Sequence, residues 1–599
     1  MISKLRLFLY TVPLLGISFA AHCVDGCPKP HTHTSKSSDS SKSCSEKCTW
    51  GLDPSFNPCS KTPGITISPT SVFLDIGQSI DIDDCDRNCC KHKYYIAGDS
   101  VNLPNYCDGA VDGHIDERVT ALQAFNHDGT RDLTFAQNGI LRFHNSIFGN
   151  FGANVLVKCC EDDCKNIFVV GNTSVTPSGD FVNGIVGNCD NDLDSPVCGF
   201  KFFFGPNNTT AFLGSQRFVA RFECNGQNTT PNGCYVDNGN GNAVSTLAPD
   251  PLTVGNTFGS YVTKAVWSSS SCRNIIGVGA DSPNLDGCGF GNPEVFKVNS
   301  DDGCSVFDTV TPVTDFIDCA ATEPFGFGQF EAVTTFSNSI FAVGDADVAT
   351  AFDFWPFTAR GIVAKYDATT GVLDAAFGHV TIAKDGKQIL LRAIATDGNS
   401  IYLGGDIADA GSGIPGGLTF PSIGAPGELV TRLSANFLII KLNMNGTPVD
   451  IDPNLNQNTV ELRWNNGTCP DQTFHAVQTD FFAGDDACFA LKIDDDRLVA
   501  AGYASTGPSL EEQRPVVVRY LINDELNLDP KFNDGFVLLK DISPFRALAR
   551  DLAIDITRKC HKRYMITGQA AAGPAVQTAP FSDATQTNMF VAAISRQDD

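Results

Sequence analysis

The sequence predicts an all-β chain: a seven-bladed β-propeller of four-stranded blades, closed by an N-terminal strand that completes the C-terminal blade. Three observations carry this prediction. A short apolar phrase ending in glycine recurs seven times, a second strand-like phrase follows each copy, and one repeat is split between the two ends of the chain. Seven copies of a multi-strand unit, at periods mostly near or above sixty residues, point to radial repetition of small sheets.

The glycine phrases are Tyr94–Gly98, Ile167–Gly171, Ile275–Gly279, Ile340–Gly344, Ile401–Gly405, Leu498–Gly502 and Tyr564–Gly568. They read as the second strand of each unit, with glycine where neighbouring strands crowd. The third strands are Ala121–Phe125, Phe218–Phe222, Glu294–Val298, Gly361–Tyr366, Phe437–Leu442, Val516–Tyr520 and Phe590–Ile594. First strands are visible in Val155–Val157, Ala265–Trp267, Ala332–Thr334, Ala393–Ala395 and Phe489–Leu491. Weaker fourth strands are read at Ile140–Phe143, His379–Ile382, Val460–Trp464 and Phe536–Leu539.

The turn before the fourth strand carries Asp-x-x-Phe, as Asp132–Phe135, Asp374–Phe377 and Asp529–Phe532. Together with the apolar-x-Gly strand, the run Ala364-Lys365-Tyr366 through Gly371-Val372-Leu373-Asp374-Ala375-Ala376-Phe377-Gly378 resembles the delta-60 repeat, a bacterial β-propeller family of undefined function. The run from Val518 to Phe532 does too. The second and third repeats lack Asp-x-x-Phe. The resemblance spans about residues 51–599 and implies a fold, with no catalytic residues to transfer. The last repeat stops after its third strand, while Leu52-Asp53-Pro54-Ser55-Phe56 and Gly64–Ile67 stand at the other end of the chain. The N-terminal segment is therefore expected to supply the missing strand, which removes two exposed sheet edges.

Residues 1–20 read as a secretory signal: Lys4 and Arg6, an apolar run from Leu7 to Phe19, and Ser18-Phe19-Ala20 for cleavage. Cys23 as a lipoprotein cysteine is the alternative. Residues 21–50 read as a polar linker, and residues 51–599 as the propeller. The expected location is secreted, periplasmic or cell-surface, with no transmembrane segment. Twenty-three cysteines behind an export signal read as disulfides. The local spacings pair Cys85 with Cys89 and Cys160 with Cys164 across hairpin turns, and Cys189 with Cys198 and Cys224 with Cys234 around small loops.

A net charge of −26 disfavours nucleic acid as a partner. Long insertions fall on one face, in the second-to-third-strand loops Asn172–Arg217, Asp406–Asn436 and Gln569–Met589, and elaborated loops on a rigid scaffold are where binding usually lives. Aromatic residues in or near these loops, Phe352, Phe354, Trp355 and Phe357 in the fourth second-to-third-strand loop and Phe202, Phe203 and Phe204 in the second, read either as a contact surface or as each loop's own cap. Asp190, Asp192 and Asp194 alternate like calcium ligands but lack the glycine and closing glutamate of such a loop. No other cofactor is expected. The chain carries no nucleophile elbow, HExxH, phosphate loop or dinucleotide fingerprint. The reading is thus an exported, non-catalytic propeller that binds a protein or glycan. An exported enzyme, a glycoside hydrolase or quinone-dependent dehydrogenase, is the first alternative and a structural envelope protein the second. Shifted carboxyls gathered at the channel mouth would favour the enzyme.

Overall fold

The glycine phrases and their flanking runs all form β-strands, and no α-helix occurs among the described residues. The computed structural model describes residues 49–597 apart from 71–73, 84–91, 102–117, 144–149, 161–162, 176–185, 188–202, 205–209, 212–213, 231, 238–242, 248–258, 269–272, 283–291, 308–326, 348–358, 410–434, 468–470, 483, 508–511, 559–560 and 574–586. Residues 44–599 belong to one structural unit.

The strands pair as antiparallel sets of the predicted kind. In the fourth, Phe327–Phe336 pairs with Ser339–Asp347, that strand with Arg360–Asp367, and that with His379–Ala383. Among the described residues the sets, numbered first to seventh in chain order, begin with the strands Leu74–Asp83, Asn150–Cys160, Gly259–Trp267, Phe327–Phe336, Lys387–Thr396, Ala487–Asp494 and Ala547–Arg558. Each lies against the first strand of the next set, and Ala547–Arg558 also lies against Leu74–Asp83. Apolar clusters join successive sets face to face. One of them joins the seventh set to the first through Phe56, Ile80, Tyr94, Met565 and Val591.

Ile65–Ser68 pairs antiparallel with Met589–Ala592, and Thr49–Leu52 pairs with the same C-terminal strand farther along. The Asp-x-x-Phe phrases explain why. Each aspartate accepts hydrogen bonds from the backbone two residues on and also holds a basic side chain from a neighbouring strand. Asp132 takes Thr134 N and Lys93 Nζ, Asp374 takes Ala376 N and Lys365 Nζ, and Asp529 takes Lys531 N, Arg497 and Arg519. Asp53 does the same with Ser55 N and Arg563. Three of the four phenylalanines are buried against a left-handed glycine of the following set, while Phe532 packs on Trp50 and Tyr564. Phe135 lies on Gly226, Phe377 on Gly446, and Phe56 on Gly129 of the first set.

The fifth set corrects one expectation. Its fourth strand is Gln472–Thr479, which pairs with Asn436–Asn443. The predicted strand Val460–Trp464 lies within Thr459–Asn465, which pairs instead with Gln472–Thr479 and with His379–Ala383 of the fourth set. Trp464 is buried and donates Nε1–H to Gly446 O. A tryptophan that fills the space between two sets outweighs the simple four-strand order.

The cysteine expectations are corrected in part. Cys234 is bonded to Cys304, 70 residues on, and not to Cys224, which is bonded elsewhere. Tyr235 Oη donates to Ser300 O at 3.3 Å and Cys234 N donates to Asp302 O, so the loop folds against the third set. The hairpin predicted at Cys160–Cys164 is present, with Cys159 opposite Cys164 and Cys160 opposite Asp163 in the backbone register. Cys85, Cys89, Cys189 and Cys198 lie outside the described residues.

Candidate functional site

The glycine of the recurrent phrase has a specific structural cause. Every first strand carries a β-bulge opposite it. The extra residues are Gln78, Gly152, Thr263, Glu331, Arg392, Phe489 and Arg550. At Gly98, Gly344, Gly405, Gly502 and Gly568 a Cβ would overlap a carbonyl oxygen of the first strand just before the bulge. Glycine lets the bulge form, and in six of the sets the bulge re-aims a side chain; in the second set the extra residue is Gly152.

Four of these side chains gather with their neighbours. Phe489 has the guanidinium carbon of Arg550 at 4.8 Å and that of Arg392 at 5.3 Å from its ring centroid. Arg392 Nε donates to Asp406 Oδ1 at 2.9 Å. Gln329 Nε2 donates to Glu331. Charges also meet between sets that are distant in order: Lys264 Nζ of the third set lies 3.0 Å from Asp551 of the seventh. Asp551 also accepts Ile80 N–H from the first set at 3.1 Å.

The electrostatics are those of a partly enclosed place. Glu331, Asp345, Arg392, Phe489 and Arg550 are only half-buried by surface. Burial first, and then the Glu331 carboxylate, pushes Asp345 up to about 8. Burial also raises Glu331 against the pull of Arg392 and Arg550. Asp406 rises to about 6 because burial outweighs its ion pair with Arg392. Burial and the neighbouring Arg392 and Arg546 guanidiniums bring Arg550 down to about 10. Asp551, one residue beyond the bulge, goes the other way: burial would raise it, but Lys264 and Lys492 hold it below the usual range. The arrangement therefore offers a protonated carboxyl, ionised carboxylates, guanidiniums and an aromatic face within one group. Chemically these are hydrogen-bond donors and acceptors of both charges, and an acid–base set.

Asp345 and Asp406 each sit directly after a phrase glycine, as do Asp99, Asn172, Tyr503 and Gln569. Gln78 donates to Asp99, Arg392 to Asp406, and Phe489 contacts Tyr503, so the bulge residue and the post-glycine residue of one set meet three times. Reading the sequence for apolar strands passed over them. The signals were a charged residue inside an apolar first strand, as in Leu391-Arg392-Ala393, and the Gly-Asp pairs.

Asp345 is two residues from the end of Ser339–Asp347, and the chain then enters the loop that holds Phe352, Phe354, Trp355 and Phe357. Those four, with Phe202 and the proposed calcium ligands Asp190, Asp192 and Asp194, lie outside the described residues. Phe203–Phe204 forms the middle strand of a small three-stranded sheet with Val186–Gly187 and Thr210–Ala211. Among the described residues, no three His, Cys, Asp or Glu side chains group as a metal site, and no helix is long and apolar enough to cross a membrane.

No protein-family model matches the sequence, and no curated protein matches it. Among solved structures, the chain is similar to polysaccharide lyase Uly1 at 10% identity and a TM-score of 0.35, over 87% of this chain and 90% of that one. It is similar to a Trypanosoma rangeli sialidase in complex with the inhibitor DANA at 10% identity and 0.30, over 76% and 56%. It is also similar to the WD40 domain of SCAP from fission yeast at 9% identity and 0.29, over 89% and 97%. Likeness at this level bears on neither ligand nor chemistry.

Proposed function

We propose that the chain is an exported, seven-bladed β-propeller, closed by its N-terminal strand, that binds a glycan at one mouth of its central channel. The cyclic contacts of the seven first strands support the closed ring, as does the packing of Phe56 on Gly129. In a ring of seven, the third and seventh blades are not neighbours, so the Lys264–Asp551 pair favours an axis that charged side chains span. The Asp-x-x-Phe turns, repeated at equivalent places, fit the delta-60 resemblance. The Cys234–Cys304 disulfide suits an oxidising compartment.

The observation that carries the function is the half-buried group on the bulges: Glu331, Arg392, Phe489 and Arg550, with Asp345 and Asp406 beside them. An aromatic face ringed by donors and acceptors is what a polyhydroxylated ligand needs. It lies at the end of the second strands from which the long loops leave. Calorimetric titration of the full chain with oligosaccharides chosen from a glycan array tests this. Binding that Arg392→Gln abolishes supports the site, and absence of binding across the array removes it. A second reading, cleavage of the bound glycan, is favoured by the raised carboxyls, since Asp345 can give a proton and Asp406 can accept one. Release of new reducing ends by wild type, and not by Asp345→Asn, would select it over simple binding.

A further inference from the structure

The N-terminal segment, the first set and the seventh set meet at one guanidinium. Arg563 Nε donates to Asp53, Nη2 to Ser55 Oγ at 2.8 Å, and Nη1 to the backbone oxygen of His127 at 3.2 Å. Nη1 also lies 3.1 Å from His127 Nε2. A guanidinium only donates and keeps its charge, so Nε2 accepts this bond and the imidazole is neutral, with its proton on Nδ1. The turn that carries His127 also holds the segment directly. Asn57 N donates to Asp128 O, Thr66 Oγ1 donates to Gly129 O at 2.7 Å, and Phe56 packs on Gly129.

We infer that this seam is an acid-sensitive latch: a proton on His127 Nε2 removes the acceptor, sets a second cation against Arg563, and loosens residues 52–67 from the first and seventh sets. The inference goes beyond the glycan reading and does not depend on it. An imidazolium has two donors and no acceptor. The other groups around the ring give it little relief. Asp555 Oδ2 is 4.0 Å from Nε2, but it already accepts from Tyr94 Oη, and Asp555 Oδ1 lies 3.1 Å from His92 Nδ1. Asp128, in the same turn, is exposed and accepts from Thr130 N and Oγ1. The rings of Tyr94 and His92 stand 6.4 and 6.5 Å from the imidazole. The two cations therefore part by drawing Arg563 off Asp53 and Ser55 or by moving the 127–129 turn, and both of these hold the segment. Burial first, and then Arg563, keeps the imidazole below its ordinary value of 6.5, against the pull of Asp555. The folded chain thus refuses a proton that the unfolded chain takes. Stability present above about pH 6.5 is lost as pH falls.

Amide hydrogen exchange of the full chain at about pH 7.5 and about pH 5, corrected for the intrinsic rate at each pH, tests this. In wild type, peptides from residues 52–67 should exchange at least about tenfold faster at the lower pH, the factor that one pKa unit supplies. A strand remote from the seam, Ser400–Asp409, should keep its protection. In His127→Gln the amide oxygen can accept from Arg563 and nothing titrates, so the acid effect should disappear. Unchanged exchange at 52–67 in wild type overturns the inference, as does acceleration spread evenly over the chain. An acid effect at 52–67 that persists in His127→Gln belongs to another group and overturns the role of His127. Should His127→Gln not fold, the wild-type comparison still decides: a seam that does not open selectively in acid is no latch.

Discussion

Replacing Gly405 by alanine tests the reason for the recurrent phrase. A Cβ there would overlap the carbonyl oxygen of Leu390 and would lie 2.9 Å from its carbonyl carbon and 3.0 Å from Leu391 Cα. All three are backbone atoms, so no rotamer change gives relief. Either the bulge at Arg392 opens or the strands Lys387–Thr396 and Ser400–Asp409 part near the Leu390–Asp406 pair. Overpacking of this kind costs about 1–3 kcal/mol, and a lost ladder hydrogen bond adds about 1, so a loss of about 2–4 kcal/mol is expected. Gly573→Ala is the control. Nothing lies within 4 Å of its new Cβ, and a change within about 0.5 kcal/mol is expected. Urea denaturation of both variants, extrapolated to water, measures the difference. Because Asp406 follows Gly405 and holds Arg392, the alanine variant should also bind ligand more weakly. If Gly405→Ala unfolds at the same urea concentration as wild type, the bulge does not explain the glycine.

Three further outcomes follow from the same structure. Phe56→Ala empties a fully buried site between the closing segment and Gly129; a loss of about 3–5 kcal/mol is expected in the same urea assay, and a loss below 1 would mean that the N-terminal turn does not close the ring. Zero-length carbodiimide coupling should join Lys264 to Asp551, read by peptide mapping; a product with Lys264 joined only to carboxyls of the second, third and fourth sets would contradict the axial pairing. Asp345 faces Glu331, Gln329, Arg392 and Asp406, and its folded value of about 8 lies above the usual carboxylate value near 4. A raised value stabilises the fold below pH 4, and that contribution is lost as pH rises toward 8. Relative to Asp345→Asn, wild type should therefore be more stable at pH 4 than at pH 8, and a pH-independent difference in urea midpoint would refute the assignment.

The strand phrases were legible because both faces of each strand are packed, leaving continuous apolar runs such as Ile401-Tyr402-Leu403 and Phe437–Ile440. The turn near the N-terminus was legible because Asp53 and Phe56 make the same turn as Asp132 and Phe135. The fourth strand of the fifth set was not. Thr459–Asn465 and Gln472–Thr479 are both good strand sequences, and only the burial of Trp464 between two sets decides which one pairs with Asn436–Asn443. The site was missed for a related reason. Glu331, Arg392 and Arg550 lie in first strands of mixed polarity, spaced about sixty or more apart. Their convergence depends on the bulges they occupy, and a bulge changes no residue type. The conspicuous aromatic loops drew the functional reading instead. The disulfide partner of Cys234 was hidden because loop closure across sets leaves no spacing rule.

The site account stands or falls on Phe489, the residue that both guanidiniums cover and that no hydrogen bond requires. Titration of Phe489→Ala with the tightest-binding oligosaccharide from the array is the direct measurement, with the urea midpoint as the check on folding. The account predicts an affinity at least about tenfold weaker, with the fold retained. An affinity equal to wild type in a folded Phe489→Ala protein would show that the ligand binds elsewhere.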